Sequence, residues 1–512
     1  MRALREEGGT LSSYEGIAGS DAPTETDVQG GGLTRRALLQ RAAVLGVSAS
    51  TLSALDLVAR VPERALAAGG AKPEIQYQIE KFVPKAVKQE RVAVSFPPVY
   101  TLFATFALTR TPTSADKETL THALAQVETS YPFSPSGVFM SVAYGVPYFE
   151  RLPGGMAGSL VSGHMPRLIN DQQRYVLEEA VPGPTDVSPL NPEVTKERFN
   201  IPVQIESNDM VITLRSDSSA NVDDVLAWLA GESSTLNGQN VGNSGLGDLL
   251  TVTSRRLMFV QMGLPRAVAE EQNLPYAETI NPKSPMWMGF SSQQVKTSGK
   301  PKLTTFLGDR SATLTNARHG QYFDRGSIMH LSHVIMDLEQ WYEAPKETYA
   351  RRSAAMFTSD PLESAGNTDQ FTNGGGPAFL PNRFTTSNVA DQEAREPARF
   401  DGERHIGHTT ALQRTSRSTD GSPIHIRADG PGFDSLDVPG GGSLPKLHFS
   451  IFVPTADFFA TMRRSQASVD LAQKYNVPSK NLGLERFLTA TRRQNFLVPP
   501  RRSRAFPLVE LA

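Results

Sequence analysis

The 512-residue chain contains no cysteine. That absence excludes a disulfide framework, a thiolate metal site and a cysteine nucleophile together. An excess of either charge is also lacking. Fifty-one Lys and Arg stand against 53 Asp and Glu, a formal net charge of -2. Such a balance offers no basic footprint for nucleic acid. No Gly-x-Ser-x-Gly elbow occurs, which removes the commonest signature of a serine hydrolase. After the N-terminal region no apolar run approaches the roughly 20 residues a membrane helix needs. With 39% hydrophobic and 20% charged residues, the composition is that of a globular chain. The length beyond the leader allows two to three domain-sized units.

What is present begins at the N-terminus. Thr34-Arg35-Arg36-Ala37-Leu38-Leu39 opens a mildly apolar, alanine-rich run, and Ala65-Leu66-Ala67 offers a small-x-small cleavage site. Residues 1–67 therefore read as a twin-arginine export signal behind a long polar leader. Gln40 and Arg41 make the run too polar for a membrane span. A retained amphipathic helix is the alternative. Export would deliver the chain, already folded and often with a cofactor inside, to the periplasm, the cell envelope or the exterior.

Residues 68–90 look like a linker. Residues 92–109 read as a strand interrupted by Pro97 and Pro98, residues 114–128 as an amphipathic helix, and residues 137–144 as a strand. A strand over 209–215 and a helix over 221–230, with Asn221 as its N-cap, follow. The later part repeats this: strand 327–335 into helix 337–355, and strand 447–453 before helix 456–475. Strand-then-helix units in both halves argue an α+β sandwich. Residues 357–402, rich in Gly, Pro, Asn and Thr, look like a loop insertion. The expected units are 91–255 and 256–512.

Several blocks carry a family resemblance. They are Gly137 to Leu152, with its glycine turn and Phe149-Glu-Arg151-Leu152; Ser207 to Asp217; and Gly326 to Trp341, ending Leu338-Glu-Gln-Trp341. Gly421-Ser-Pro-Ile-His425-Ile-Arg427 and the stretch from Leu484 to Pro500, resembling a helix over 484–491 and a closing strand, complete the series. In this order, over residues 95–500, they resemble the dye-decolorizing peroxidases. The resemblance implies an α+β fold of the dimeric α+β barrel type. Two ferredoxin-like halves, each an antiparallel sheet with helices packed on it, would hold haem b (iron protoporphyrin IX) in the second half.

The chemistry implied is that of a haem peroxidase: an imidazole below the iron, and a proton shuttle and a cation above it. His425 matches the axial ligand, hence also the metal ligand, with Arg427 completing the histidine-x-arginine pattern. Where the family has a distal Gly-x-x-Asp-Gly, this chain has Gly289-Phe-Ser-Ser292-Gln293, so Ser292 takes the place of the catalytic aspartate. A hydroxyl orients peroxide but does not hold a proton as a carboxylate does. The distal arginine has no counterpart, and Lys446 is the nearby cation, its plainer reading being a solvated lysine. His408 stands where the family has a propionate-binding arginine, a role it fills only when protonated, and its plainer reading is a hydrogen-bonded structural histidine. Glu485 lies one residue from the carboxylate that would hydrogen-bond the axial imidazole, with Arg486 in the matching place.

Three further groups have bland readings. His448, within a strand, reads as a structural histidine. His330 and His333 fall on opposite faces of a strand and are rejected as a metal pair. Trp287 and Trp341 read as core packing. The resemblance thus implies an exported haem protein that oxidises an unknown reductant with hydrogen peroxide. The alternative is a haem or porphyrin binder without turnover, because the distal Asp and Arg are missing. Its partners would be haem, hydrogen peroxide, the reductant and the twin-arginine export machinery, with no nucleic acid; self-association into a homo-oligomer is left open.

Overall fold

The computed structural model describes residues 72–79, 87–89, 92–94, 96–289, 299, 301–306, 314–343, 388–398, 402–408, 411, 414 and 424–512. The expected export signal (1–67), Ser292 and most of the expected insertion at 357–402 lie outside the described residues.

Each half is built from four strands. The first contains β1 (Tyr100–Leu108), α1 (Ser114–Ser130), β2 (Phe139–Gly145), β3 (Met210–Ser216), α2 (Ser219–Leu229) and β4 (Leu250–Phe259). Its sheet order is β4-β1-β3-β2, all antiparallel. The second begins with β5 (Ser327–Met336). Its outer strand is split into β6 (Ile426–Arg427) and β7 (Gly430–Asp434), both paired to β8 (Leu444–Val453). After β8 come α3 (Ala456–Ala467), α4 (Val469–Tyr475) and β9 (Leu488–Val498). The order β9-β5-β8-β7 repeats that of the first half. In both, the first and third strands are central and the fourth and second flank them. The two sheets thus share the ferredoxin-like order.

The sheets join at both edges. β9 pairs β2 at Phe496–Gly145 and Leu497–Tyr144, and β7 meets β4 at Gly432–Met258. An eight-stranded antiparallel barrel results, closed so that no long strand edge is left bare. The two-residue side-chain period of each strand then divides its residues between lumen and outer layer. On β5, Met329, Leu331 and His333 point inward, while Ile328, His330 and Ser332 point outward. Phe103, Val211, Met258, Met329, Leu331, Phe452, Phe496 and Val498 pack together in the lumen. On the outside of the first sheet, Leu120, Leu124 and Val127 of α1 pack with Leu102, Ala104 and Phe106 of β1 in a much larger core.

Local chemistry explains where the helices begin. Thr113 closes α1 with a capping box: its hydroxyl accepts from the Asp116 N–H at 3.3 Å, and Asp116 accepts from the Thr113 N–H at 2.7 Å. α2 starts two residues before the expected 221. Ser218 is its N-cap and accepts from the Asn221 N–H, whereas the Asn221 side chain donates to the Ser136 carbonyl.

Other expectations are corrected. The helix expected over 456–475 breaks at Ser468, whose φ of 52° lies in the left-handed region. The helix expected around 484–491 is only a 3₁₀ turn, Glu485–Phe487. The chain enters β9 at Leu488, since pairing with β5 outweighs local preference. Pro97 and Pro98 do interrupt the first strand; Val92–Val94 pairs instead with Val87–Gln89, inside the expected linker. The sheet of the first half ends at Phe259, beyond the expected division at 255/256.

One end of the lumen is closed by residues 72–79. Tyr77 stacks on Phe452 with ring centroids 4.2 Å apart. Gln76 holds the backbone of Val142 through both amide atoms and also donates to the Pro499 carbonyl. No described helix is long and apolar enough to cross a membrane.

Candidate functional site in the C-terminal half

The second sheet carries two separate polar clusters, one on each face. The outward cluster lies among β5, β9 and α3. Arg493 of β9 forms a bidentate pair with Asp186 at 2.5 and 2.9 Å and donates to Ser332 at 2.8 Å. His330 donates to Asn495 through Nδ1 and accepts from the Ser332 hydroxyl at Nε2, both at 2.7 Å, the tautomer following from these partners. Phe459 stacks on its ring at 3.8 Å. Burial, and then the charge of Arg493, pull the His330 pKa down to about 3.

Beside this cluster sits Glu485, whose two carboxylate oxygens accept from Arg463 at 3.0 and 2.6 Å. The Thr185 hydroxyl donates to the same carboxylate, and Lys196 donates to the Glu485 carbonyl. Burial pushes the carboxyl up, but Arg463 and Lys196 outweigh it and hold the pKa near about 2. His408 lies within the field of Arg427, Glu485 and Arg463. Burial and the Arg427 charge pull its pKa down to about 4, against the opposing pull of Glu485. The structure therefore brings three expected residues, His408, Arg427 and Glu485, into one electrostatic neighbourhood. His425 immediately precedes β6 and is only 2% exposed. Its carbonyl accepts from the Gly299 N–H at 3.0 Å, and a Cβ on Gly299 would lie 2.6 Å from that oxygen. Only a glycine packs this tightly against the backbone that carries His425.

Lys446 is elsewhere. It sits six residues along β8 from Phe452, the partner of Ile426, which is about 20 Å of strand. Its side chain points into the lumen and is fully buried, so the solvated alternative does not hold. Its ammonium donates to the Leu436 carbonyl at 2.7 Å and lies 3.8 Å from Asp434. Burial pulls its pKa down to about 8, opposed by Asp434 and Asp437.

Lys446 marks the second cluster, at the polar end of the lumen. His333 and His448 face each other across β5 and β8, ring centroids 5.3 Å apart. Asp434, at the end of β7, reaches both: Oδ1 lies 3.4 Å from His333 Nε2 and Oδ2 lies 3.2 Å from His448 Nε2. On its other nitrogen, His333 is 2.7 Å from the Thr491 hydroxyl and 3.6 Å from Asp437. Arg492 grips Asp437 through two 2.7 Å bonds. Deeper in, Arg256 pairs with Glu206, the two side chains 0% and 5% exposed. Burial raises the Asp434 carboxyl, but the two histidines overcome it and hold it well below the carboxylate range.

His330 and His333 do point to opposite faces, as expected, and Trp287 and Trp341 are buried packing. The grouping of His333, Asp434 and His448 was missed. Nothing in the sequence links three residues on strands joined only by register.

The model of a family described as "Family of unknown function (DUF7405)" matches residues 98–180 and 172–500, spanning both sheets. The chain belongs to the DUF7405 family. No curated protein matches it. Among solved structures, this DUF7405 member is similar to a DyP-type peroxidase from Cellulomonas bogoriensis, at 14% identity and a TM-score of 0.48, covering 81% of this chain and 93% of that one. A dye-decolorizing peroxidase from Bacteroides thetaiotaomicron is similar at 14% identity and a TM-score of 0.43, covering 84% and 97%. A DypB variant from Rhodococcus jostii RHA1, solved in complex with heme, is similar at 14% identity and 0.45, covering 81% and 97%.

Proposed function

We propose that this chain is a haem-binding protein related to the DyP-type peroxidases, in which His425 would hold the haem iron. The observation that carries the reading is the setting of His425. It is a nearly sealed imidazole at the head of β6, on backbone clamped by Gly299, next to the cationic neighbourhood of Arg427. A buried imidazole beside arginine fits a haem, whose propionates seek cations.

Bound haem would supply the redox chemistry with hydrogen peroxide and an unknown reductant. His425 would hold the iron. Arg427 would hold a propionate; His408, kept neutral by burial at neutral pH, would contribute a hydrogen bond rather than a charge. Glu485 positions Arg463 and the Thr185 segment, because its oxygens are already engaged there. Ser292 would orient the peroxide. The twin-arginine signal assigns the folded protein to the export route.

A second reading, haem binding without turnover, is favoured by the burial of Lys446 in the lumen. Lys446 is engaged there by the Leu436 carbonyl and Asp434, so it would not stand in for the distal arginine. The deciding measurement is the visible spectrum of mature protein produced with ample haem, beside His425→Ala. A Soret band that vanishes or shifts in the variant supports ligation, and peroxide-driven change in the parent supports turnover. A parent with no Soret band overturns both readings.

A further inference from the structure

The polar end of the lumen contains an arrangement that the haem reading does not use. We propose that His333, Asp434 and His448 bind one divalent transition-metal ion of the class that takes imidazole nitrogen and carboxylate oxygen together.

The ligand atoms are already gathered. One ring nitrogen of His333, one of His448 and a carboxylate oxygen of Asp434 all lie within 4.8 Å of one another. The nitrogen-to-oxygen separations are 3.4 and 3.2 Å. An ion bonded at about 2.1 Å to each ligand spaces them by about 3.0–3.4 Å, octahedral to tetrahedral. The carboxylate offers one oxygen to each imidazole, so a single ion between the rings reaches all three groups.

The surroundings orient the ligands. With Thr491 at 2.7 Å and Asp437 at 3.6 Å, His333 Nδ1 is the ring's N–H, and Nε2 turns its lone pair toward Asp434. A lone pair facing a carboxylate oxygen at that distance is repulsive unless a cation or proton lies between them. His448 is fully buried, yet among the described residues neither of its nitrogens has a hydrogen bond of acceptable geometry. Asp434 Oδ2 is in the same position. Buried polar atoms left this way are destabilising, and a shared ion would satisfy them together.

Space and access also fit. Gly432 has no side chain where a Cβ would stand 2.4 Å from His448 Nε2. The Asp434 side chain is 25% exposed at the barrel end, which gives an ion a way in. Two histidines and one carboxylate suit Zn(II), Fe(II), Co(II) or Mn(II), with coordination positions left open for water or a small anion. The competing arrangement has Lys446, 3.8 Å from Asp434, as the sole balancing cation.

The test uses the mature chain, stripped of metal by a chelator and free of haem, titrated with Co(II) and followed by its visible d–d absorption. Zn(II) competition then gives the affinity. One bound equivalent is expected, and Asp434→Asn should weaken it about a hundredfold, Thr491→Val about tenfold or more. His448→Ala should abolish the Co(II) bands, while His425→Ala should leave them unchanged and so separate this centre from the haem reading. Circular dichroism reports whether each variant is folded; should His448→Ala unfold, the near-isosteric Asp434→Asn decides. The proposal is overturned if folded parent takes up no Co(II) or Zn(II). It is equally overturned if Asp434→Asn binds as tightly as the parent.

Discussion

Gly432 and His448 are fitted to each other: a Cβ on the glycine would lie 2.4 Å from the imidazole Nε2 and 3.1 Å from the Leu257 carbonyl. The glycine thus makes room for the ring where β7 leans on β4. Gly432→Ala should displace His448 and strain the seam between the two sheets. We expect a loss of about 1–3 kcal/mol, the usual cost of overpacking, read from the urea midpoint. An unchanged midpoint would show that the ring has somewhere else to go.

Arg256 and Glu206 form an ion pair sealed inside the barrel. Removing one partner strands a charge away from water, so Glu206→Gln should cost about 3–5 kcal/mol. Replacing both, as Glu206→Leu with Arg256→Met, should recover most of that loss, because apolar groups need no compensation there. Equal instability of the single and double variants in denaturant titrations would mean the pair is needed for more than charge balance.

Gln76 joins the N-terminal segment to β2 and to the end of β9 through three backbone hydrogen bonds. Its removal in Gln76→Ala leaves the buried N–H and C=O of Val142 without that partner. About 1–3 kcal/mol should be lost per group left unsatisfied. Amide exchange at Val142 and proteolysis near residue 76 should both accelerate; exchange as slow as in the parent would refute this account of the clamp.

Acid should destabilise the fold in two steps. His330 and His408 drop from 6.5 to about 3 and about 4 in the folded state. Between those values the unfolded chain binds more protons, so stability falls as pH drops below about 6.5. Glu485, lowered from 4.5, and Asp186, lowered from 3.8, both sit at about 2 in the fold. Their contribution is present above the unfolded values and is lost as pH falls from about 4.5 toward 2. Urea midpoints measured from pH 7 to pH 3 should decline throughout, and His408→Gln should flatten the upper part of the curve. A flat profile between pH 7 and 5 in the parent would contradict the buried, neutral state of the two histidines.

Strand periodicity and helix caps were legible locally. Residues 209–215 and 327–335 read as strands, and the structure has them at Met210–Ser216 and Ser327–Met336. The stretch 484–491 reads as a helix, although Leu488 to Thr491 belong to a strand. Isolated from its partners, that segment carries no mark of the long pairing with β5 that makes it a strand.

Composition and order, then, determined by themselves that this is a cysteine-free α+β chain of two repeated halves, with His425 between a turn and a strand. Local propensity and side-chain period are properties of neighbouring residues, so a linear reading reaches them. The meeting of His333 with His448 and Asp434, and the burial of Lys446, were decided by tertiary structure alone. They depend on the register between β5, β7 and β8 and on closure of the barrel, which turns one face of each strand away from water. A sequence states which residues alternate along a strand. Only the closed sheet states which face becomes the inside.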